Sequence, residues 1–591
     1  MHSQTPKRID AALFSAKAAV LRGVRRVSDL TRPVRRFTHG RQADYPVLLA
    51  ECRSPLWTAE STVENSLQLG KVQNLRKACA RLHLAEIPSG EIFSFWKQIG
   101  KAKRSAGYAR GRELRQGCLI PNVGGGLCQL SNALYDLALK CGFEIVERHA
   151  HTSAVPGSAA EQGRDATIFW NYVDLRLRPK QSVLLTALLS KDELVVCCWG
   201  KQSLVQIYEQ RPTARQSMPV NTCADCGVSE CFRHVEPGMA GPKTVGEGAM
   251  LSMGHTAFLI EECWPEFEAF AAQTHTASDE LFLPLYSSLW KQPRYRWTSN
   301  GFSRVVAANF QTMLASFQTR FGASRKLPPI ARQIQRSQNL AQYYSERLSI
   351  SASNLYVAQS LLPFLWRRGD LGGRSFSVLM TRLPLHVLHD KLDELALQSP
   401  ERKTFQEFRA PAWMLKAEAE ALEQADRIVT PHSALANLFP LKTTWLEWKL
   451  PAANPGRRGP CVVFPGPSLA RKGAYELRDA LRGLDYPLLV LNPQTVESKQ
   501  FWNGVPLADA AGDWLRQAAV VVQPAFIENN PRPLLRALAA GIPVIATPEC
   551  GMEPHPLLTL TPAGNAEGLR DAIRETMPSI STAPQCLARN H

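Results

Sequence analysis

The chain has 591 residues, about four times the ~150 typical of one domain, so three or four folded units are expected. With 45% hydrophobic and 20% charged residues, the composition is that of globular protein and excludes wholesale disorder. The longest apolar runs, such as 194–199 and 518–522, fall far short of the ~20 residues a membrane-crossing helix needs, which excludes an integral membrane protein of helical type.

The formal net charge of +17 is unevenly placed. Residues 1–41 hold ten Lys and Arg against Asp10 and Asp29. Such a basic arm, taken as 1–43, suits an anionic membrane surface, from which Lys and Arg release counterions; a solvated tail has the same composition. Nothing downstream alternates basic residues with aromatics, so no specific nucleic-acid partner is expected. The arm's mildly apolar stretch is interrupted by Lys17 and followed by more basic residues, unlike a secretory signal. The expected location is therefore cytoplasmic, at most peripheral on the inner membrane face. There the 14 cysteines stay thiols or bind metal.

The next zone, 44–212, mixes helix and strand patterns. Leu127, Leu130, Leu134 and Leu137 recur at helical spacing, with Lys140 in the last turn and Gly142 as the stop. Segments 143–146 and 183–187 read as strands. The run Gly124-Gly125-Gly126-Leu127-Cys128 leads into the helix and puts Cys128 in its first turn, where N–H groups and the helix dipole favour a thiolate. Ser131, Asn132 and Tyr135 share a polar stripe with Cys128, apart from the leucines. His149 and His151 follow at strand spacing, which places both on one face, either one a base for the thiol. Asp165 is positioned in sequence to orient that base. These residues have the composition of a Cys–His–Asp nucleophilic set. They also fit a structural role, since free Cys is often core and triple glycine often marks close backbone approach.

This zone resembles the VanW family, named from vancomycin-resistance gene clusters, through residues 88–95, Gly107-Tyr108, 123–135, 145–152 and 163–170. The word Gly-Gly-Gly-Leu-Cys-Gln-Leu-Ser at 124–131 is its most specific part. The resemblance implies an α+β domain and a link to cell-wall metabolism.

A connector, 213–244, carries Cys223, Cys226, Cys231 and His234. Four soft ligands within twelve residues suit a structural zinc ion, and an iron–sulfur cluster is the alternative. Beyond it, 245–445 reads as helix-rich with isolated strands, and 446–591 as a regular alternation of strand and helix. Apolar runs at 461–464, 488–491, 520–522 and 542–546 are spaced by helices, the pattern of a parallel, doubly wound sheet. Ligands of such sheets sit beyond the carboxyl ends of the strands. Two loops there carry suitable residues: Gly466 to Gly473, with Lys472 entering a helix start, and Glu528 to Pro533, whose carboxylate suits sugar hydroxyls.

Residues 460–551 resemble the donor-binding half of group-one glycosyltransferases of the GT-B type, through Gly466, Lys472-Gly473, 520–524, Glu528 and the run 534–547. The resemblance implies a pair of Rossmann-type lobes, acceptor-side at 245–445 and donor-binding at 446–591. It further implies that Lys472 meets the donor diphosphate and Glu528 the transferred sugar, with no catalytic metal. Two positions depart from the family: Pro467 stands where an arginine is usual, and Arg536 where a second glutamate would meet the ribose. The expected fold is α/β, a VanW-like α+β domain followed by a GT-B-like pair. The expected activity is sugar transfer from a nucleotide-sugar to an envelope or lipid-linked acceptor. The alternatives are a degenerate, glycan- or nucleotide-binding scaffold, and a cysteine-dependent hydrolase or acyl-transferase in the VanW-like part.

Overall fold

A computed structural model describes residues 8–31, 34–57, 62–115, 118–151, 160–203, 221–222, 254–286, 295–321, 328–453, 458–498, 500–509 and 512–577. They form two compact units. The first comprises described residues of 1–255 with two short returns, 348–354 and 368–375; the second comprises the rest. No helix among the described residues is long and apolar enough to cross a membrane.

The first unit is α+β. An antiparallel sheet runs in the order Val47–Pro55, Glu193–Gly200, Val183–Leu189, Ala85–Ile87, and two three-stranded sheets accompany it. Helices Thr62–Leu82 and Cys128–Lys140 cover its core, which gathers Leu75, Leu130, Leu134, Leu137, Val196 and Cys198 among others. The leucine spacing in Cys128–Lys140 buries one face, and the helix ends where Gly142 turns left-handed at φ +64°. Every cysteine whose side chain is described is a free thiol.

Triple glycine has a steric reason here. The strand pair Arg110–Arg115 and Cys118–Val123 folds so that Gly111 lies against Gly125, and a Cβ on Gly125 would collide with the Gly111 carbonyl. Asn74 locks the same turn by donating to the carbonyls of Ala109 (3.1 Å) and Gly125 (2.9 Å).

The basic arm is a helix, Arg8–Thr31, and it is built into the first unit. One face packs inward: Ala18 is buried, Phe14 meets Phe169 edge-on, Arg25 pairs with Glu147 (2.6 Å) and Arg176 with Asp29 (2.6 Å). The opposite face leaves Ile9, Leu13, Val20, Val24 and Val27 exposed.

The second unit holds two sheets. One has seven strands in the order Arg304–Ala307, Glu280–Leu283, His255–Leu259, Ala352–Ala358, Ser375–Leu379, Arg427–Thr430, Thr443–Trp445, with parallel pairing on both flanks. Residues 245–445 thus contain a large sheet where isolated strands were expected; its strands are short and separated by long helices, which hides them from period-two alternation. The other sheet is fully parallel, in the order Leu488–Val496, Cys461–Ser468, Ala518–Gln523, Val544–Ala546, Leu558–Leu560. Gly466 and Pro467 belong to its first strand, which continues to Ser468 and shortens the expected loop to 469–473.

The glycine geometry makes a graded prediction. Gly125→Ala overpacks backbone against backbone and should cost about 3 kcal/mol or more, whereas Gly142→Ala meets open space and should cost only the left-handed strain, about 1–2 kcal/mol. Urea unfolding of both variants checks the order.

Candidate functional site

The first unit contains a cavity of about 760 Å³, lined by the glycine turn, Cys128, Asn132, His151, Lys71 and Arg112 among others. Arg22 and Phe14 of the N-terminal helix contribute to its wall.

Two residues of the polar stripe place the carboxylate. Ser131 donates to the Ala166 carbonyl (2.6 Å) and Asn132 Oδ1 accepts from the Ala166 N–H (2.8 Å), so the segment carrying Asp165 is clamped to the helix that starts at Cys128. Asp165 is fully buried. Its Oδ2 accepts from the His151 backbone N–H (2.6 Å) and from His151 Nδ1 (2.8 Å), and its Oδ1 accepts from Arg148 (2.8 Å). Arg148 is itself held over the Tyr135 ring and bonded to the Gly163 carbonyl.

These contacts set the protonation states. Burial alone would push the Asp165 carboxyl up, but the hydrogen bonds from His151 and the charge of Arg148 bring it below the usual range. Burial opposes charge on His151 too, yet Asp165 and the adjacent Cys128 sulfur outweigh it and raise the imidazole to about 9. At neutral pH the ring is an imidazolium with a second N–H to give.

The structure therefore brings together Cys128, His151 and Asp165. It does not bring His149 with them, which corrects the expectation of two equivalent histidines. The strand ends at Glu147, the backbone beyond is irregular, and His149 turns outward to Glu147 (3.2 Å) with its side chain 48% exposed. Lys71 and Arg112, which also line the cavity, carry no sequence signal beyond their charge.

In the second unit, strand Cys461–Ser468 lies between Leu488–Val496 and Ala518–Gln523, so the chain leaves it to one side and returns on the other. The connections diverge beyond the carboxyl ends of Cys461–Ser468 and Ala518–Gln523, the place where ligands of doubly wound sheets bind. Lys472 follows the first of these strands and Glu528 the second. They meet there: Lys472 Nζ donates to Glu528 Oε2 (2.8 Å), with both side chains about nine-tenths buried. Glu528 Oε1 accepts from the N–H groups of Asn529 and Asn530 (3.0 Å each). Gly473 is left-handed and packs on Pro524, so no side chain fits at that turn.

Residues 245–445 contribute one further group that no motif marks, His432. It follows strand Arg427–Thr430, is 2% exposed, and donates from Nε2 to the Glu528 carbonyl (2.9 Å). Burial lowers its pKa, so the ring is neutral. Arg536, expected at the donor site, is exposed. Helix Arg532–Ala539 buries Leu534, Leu535, Ala537 and Leu538, which turns Arg536 outward onto the Trp514 ring at 5.4 Å. The cation that reaches across between the sheets is Arg532, paired with buried Glu266 (2.9 Å) and flanked by Trp264 and Trp448.

The expected metal ligands Cys223, Cys226, Cys231 and His234 lie outside the described residues. Among the described residues no cluster of three or more His, Cys, Asp or Glu could hold a metal ion.

Residues 70–199 match the family described as VanW like protein, and they form a VanW-like domain. The chain is 34% identical over 136 residues to Vancomycin B-type resistance protein VanW of Enterococcus faecalis, covering 22% of this chain and 50% of that one. It is 28% identical over 160 residues to Uncharacterized protein YoaR of Bacillus subtilis, covering 27% and 52%. It thus spans about half the length of the curated relatives it matches. Similar solved structures include sucrose-phosphate synthase from Thermosynechococcus elongatus, at 15% identity and TM-score 0.36 over 55% of this chain and 89% of that one. Anabaena HepE in complex with UDP and glucose is similar at 15% identity and TM-score 0.32, over 55% and 89%.

The His151 environment carries a pH prediction. Its folded value, about 9, lies above the ordinary 6.5, so the pair with Asp165 contributes stability that is complete below about pH 6.5 and lost as pH rises through about 9. The stability gap between the parent and His151→Gln should therefore shrink across that window. In isotope-labelled protein the His151 ring should titrate near 9 and move toward 6.5 in Asp165→Asn.

Proposed function

We propose that the second unit transfers a sugar from a nucleotide-sugar donor to an envelope or lipid-linked acceptor. The observation that carries this reading is the buried Lys472–Glu528 pair at the point where the strand connections diverge. A buried ion pair is a poor stabiliser compared with an apolar pair of the same volume, so its presence in a ligand-binding crevice calls for a functional reason. Lys472 takes the role of countercharge to the leaving diphosphate, with the amino end of helix Ala474–Leu481 behind it. Glu528 takes the sugar hydroxyls. Arg536 stands where the family's second carboxylate would meet the ribose, which favours a donor whose ribose is held by other groups. The membrane-directed part of the reading rests on the outward apolar stripe Ile9, Leu13, Val20, Val24 and Val27 of a basic helix, the arrangement of a segment lying in an anionic bilayer surface.

Two experiments test these assignments. Thermal unfolding with UDP, GDP and their sugar conjugates should show stabilisation by at least one of them, about 2.7 kcal/mol at a hundredfold excess over Kd. Lys472→Ala alone should also destabilise the fold by leaving Glu528 unpaired. Lys472→Ala/Glu528→Gln should recover that stability but bind the nucleotide about thirtyfold more weakly, a loss of about 2 kcal/mol. Stabilisation by none of the nucleotides would leave a scaffold in place of a transferase. For the helix, co-sedimentation with phosphatidylserine vesicles should fall when Val20 and Val24 are both changed to Asp, and no fall would remove the membrane assignment.

A further inference from the structure

The cavity of the first unit holds one lysine whose charge the described residues do not pair. Lys71 is 7% exposed, lines the cavity, and has no hydrogen-bond or ion-pair partner among the described residues. Its stem lies over Gly126, where a Cβ would strike it, so the ammonium is held beside the turn that leads into Cys128. Arg112 lines the same cavity and repels it; burial and that repulsion lower the Lys71 pKa to about 8. An ammonium taken out of water beside a second cation, with no hydrogen-bond or ion-pair partner of its own among the described residues, is a seat for an anion supplied by a ligand.

Cys128 opens a thirteen-residue helix at this seat. Gln129, Leu130 and Ser131 N–H groups donate to the carbonyls of Gly126 and Leu127, while the Cys128 N–H finds no backbone acceptor among the described residues. That N–H is placed to receive the oxygen of a carbonyl under attack by the same residue's sulfur.

We propose that Cys128 and His151 form an acyl-transfer centre, with Asp165 as positioning residue, whose substrate is an ester or amide bearing a carboxylate or phosphate that seats on Lys71 and Arg112. The Cys128 thiolate attacks the acyl carbonyl and forms a carbon–sulfur bond. The bond to the leaving alcohol or amine breaks, and the leaving group takes a proton from the His151 imidazolium. Neutral His151 then accepts a proton from an incoming water or amine, which attacks the thioester, releases the acid or amide and expels the Cys128 sulfur. Asp165 fixes the ring and stabilises its charge throughout without changing protonation state. This centre is independent of the sugar-transfer reading, and each can fail alone.

The test uses the full chain and two matched probes, p-nitrophenyl acetate and the monoanionic p-nitrophenyl succinate. A burst of p-nitrophenolate with an acyl adduct mapped to Cys128 by mass spectrometry is expected for both, about tenfold faster for the succinate. Cys128→Ala and His151→Ala should abolish the burst. Lys71→Met should erase the preference for succinate, and Lys71→Arg should restore it, which separates charge recognition from a folding defect. Inorganic phosphate and acetate, added as competitors, distinguish the two anion chemistries by which one slows the succinate reaction. An adduct on another cysteine, or a Cys128 reaction no faster than that of free cysteine, would overturn the centre. An unchanged succinate preference in Lys71→Met would overturn the anion seat.

Discussion

Asp165 is fully buried and still ionised, and a charge in that position persists only where donors replace its lost hydration. Arg148 and His151 supply them, and both sit on the irregular stretch that follows strand Glu144–Glu147. The carboxylate therefore organises three pieces of chain at once: its own segment, the 148–151 stretch, and the helix from Cys128 that grips its segment through Ser131 and Asn132. Removing this interaction would cost more than one hydrogen bond, because Arg148 and His151 would each lose the countercharge that fixes their orientation. The cavity beside it inherits its shape from the same constraint.

Different parts of this arrangement were legible in the sequence to different degrees. The leucine spacing, the glycine stop and the Cys128 position could be read because a helix imposes a period that residue types reveal. The order of strands and helices in 446–591 could be read because parallel strands are buried on both faces and appear as continuous apolar runs. His149 and His151 could not be separated, because parity along a strand holds only while the strand lasts, and this one ends at Glu147. Lys71 could not be found at all. Nothing in its neighbours signals burial without a partner, a property created by the turn at Gly126 that packs on its stem. Arg536 was open to a different reading, since the run Leu534, Leu535, Ala537, Leu538 already defines a buried face that excludes it.

Lys71 of the first unit and Lys472 of the second are held in opposite ways. In the first, Lys71 is buried with its charge unspent, so an anion entering the cavity has only its own hydration to lose. In the second, Lys472 is already neutralised by Glu528, which is itself held by two backbone N–H groups and tied through its carbonyl to His432. On the sugar-transfer reading this closed pair has a mechanistic consequence. A diphosphate approaching Lys472 competes with a carboxylate at 2.8 Å, and as it takes over that contact it frees one oxygen of Glu528. The freed oxygen is then available to a hydroxyl of the sugar attached to that diphosphate. A nucleotide without its sugar leaves the freed oxygen without a donor in a largely dehydrated place. An intact donor replaces both halves of the broken pair, so the resting ion pair discriminates for the complete nucleotide-sugar over its fragments.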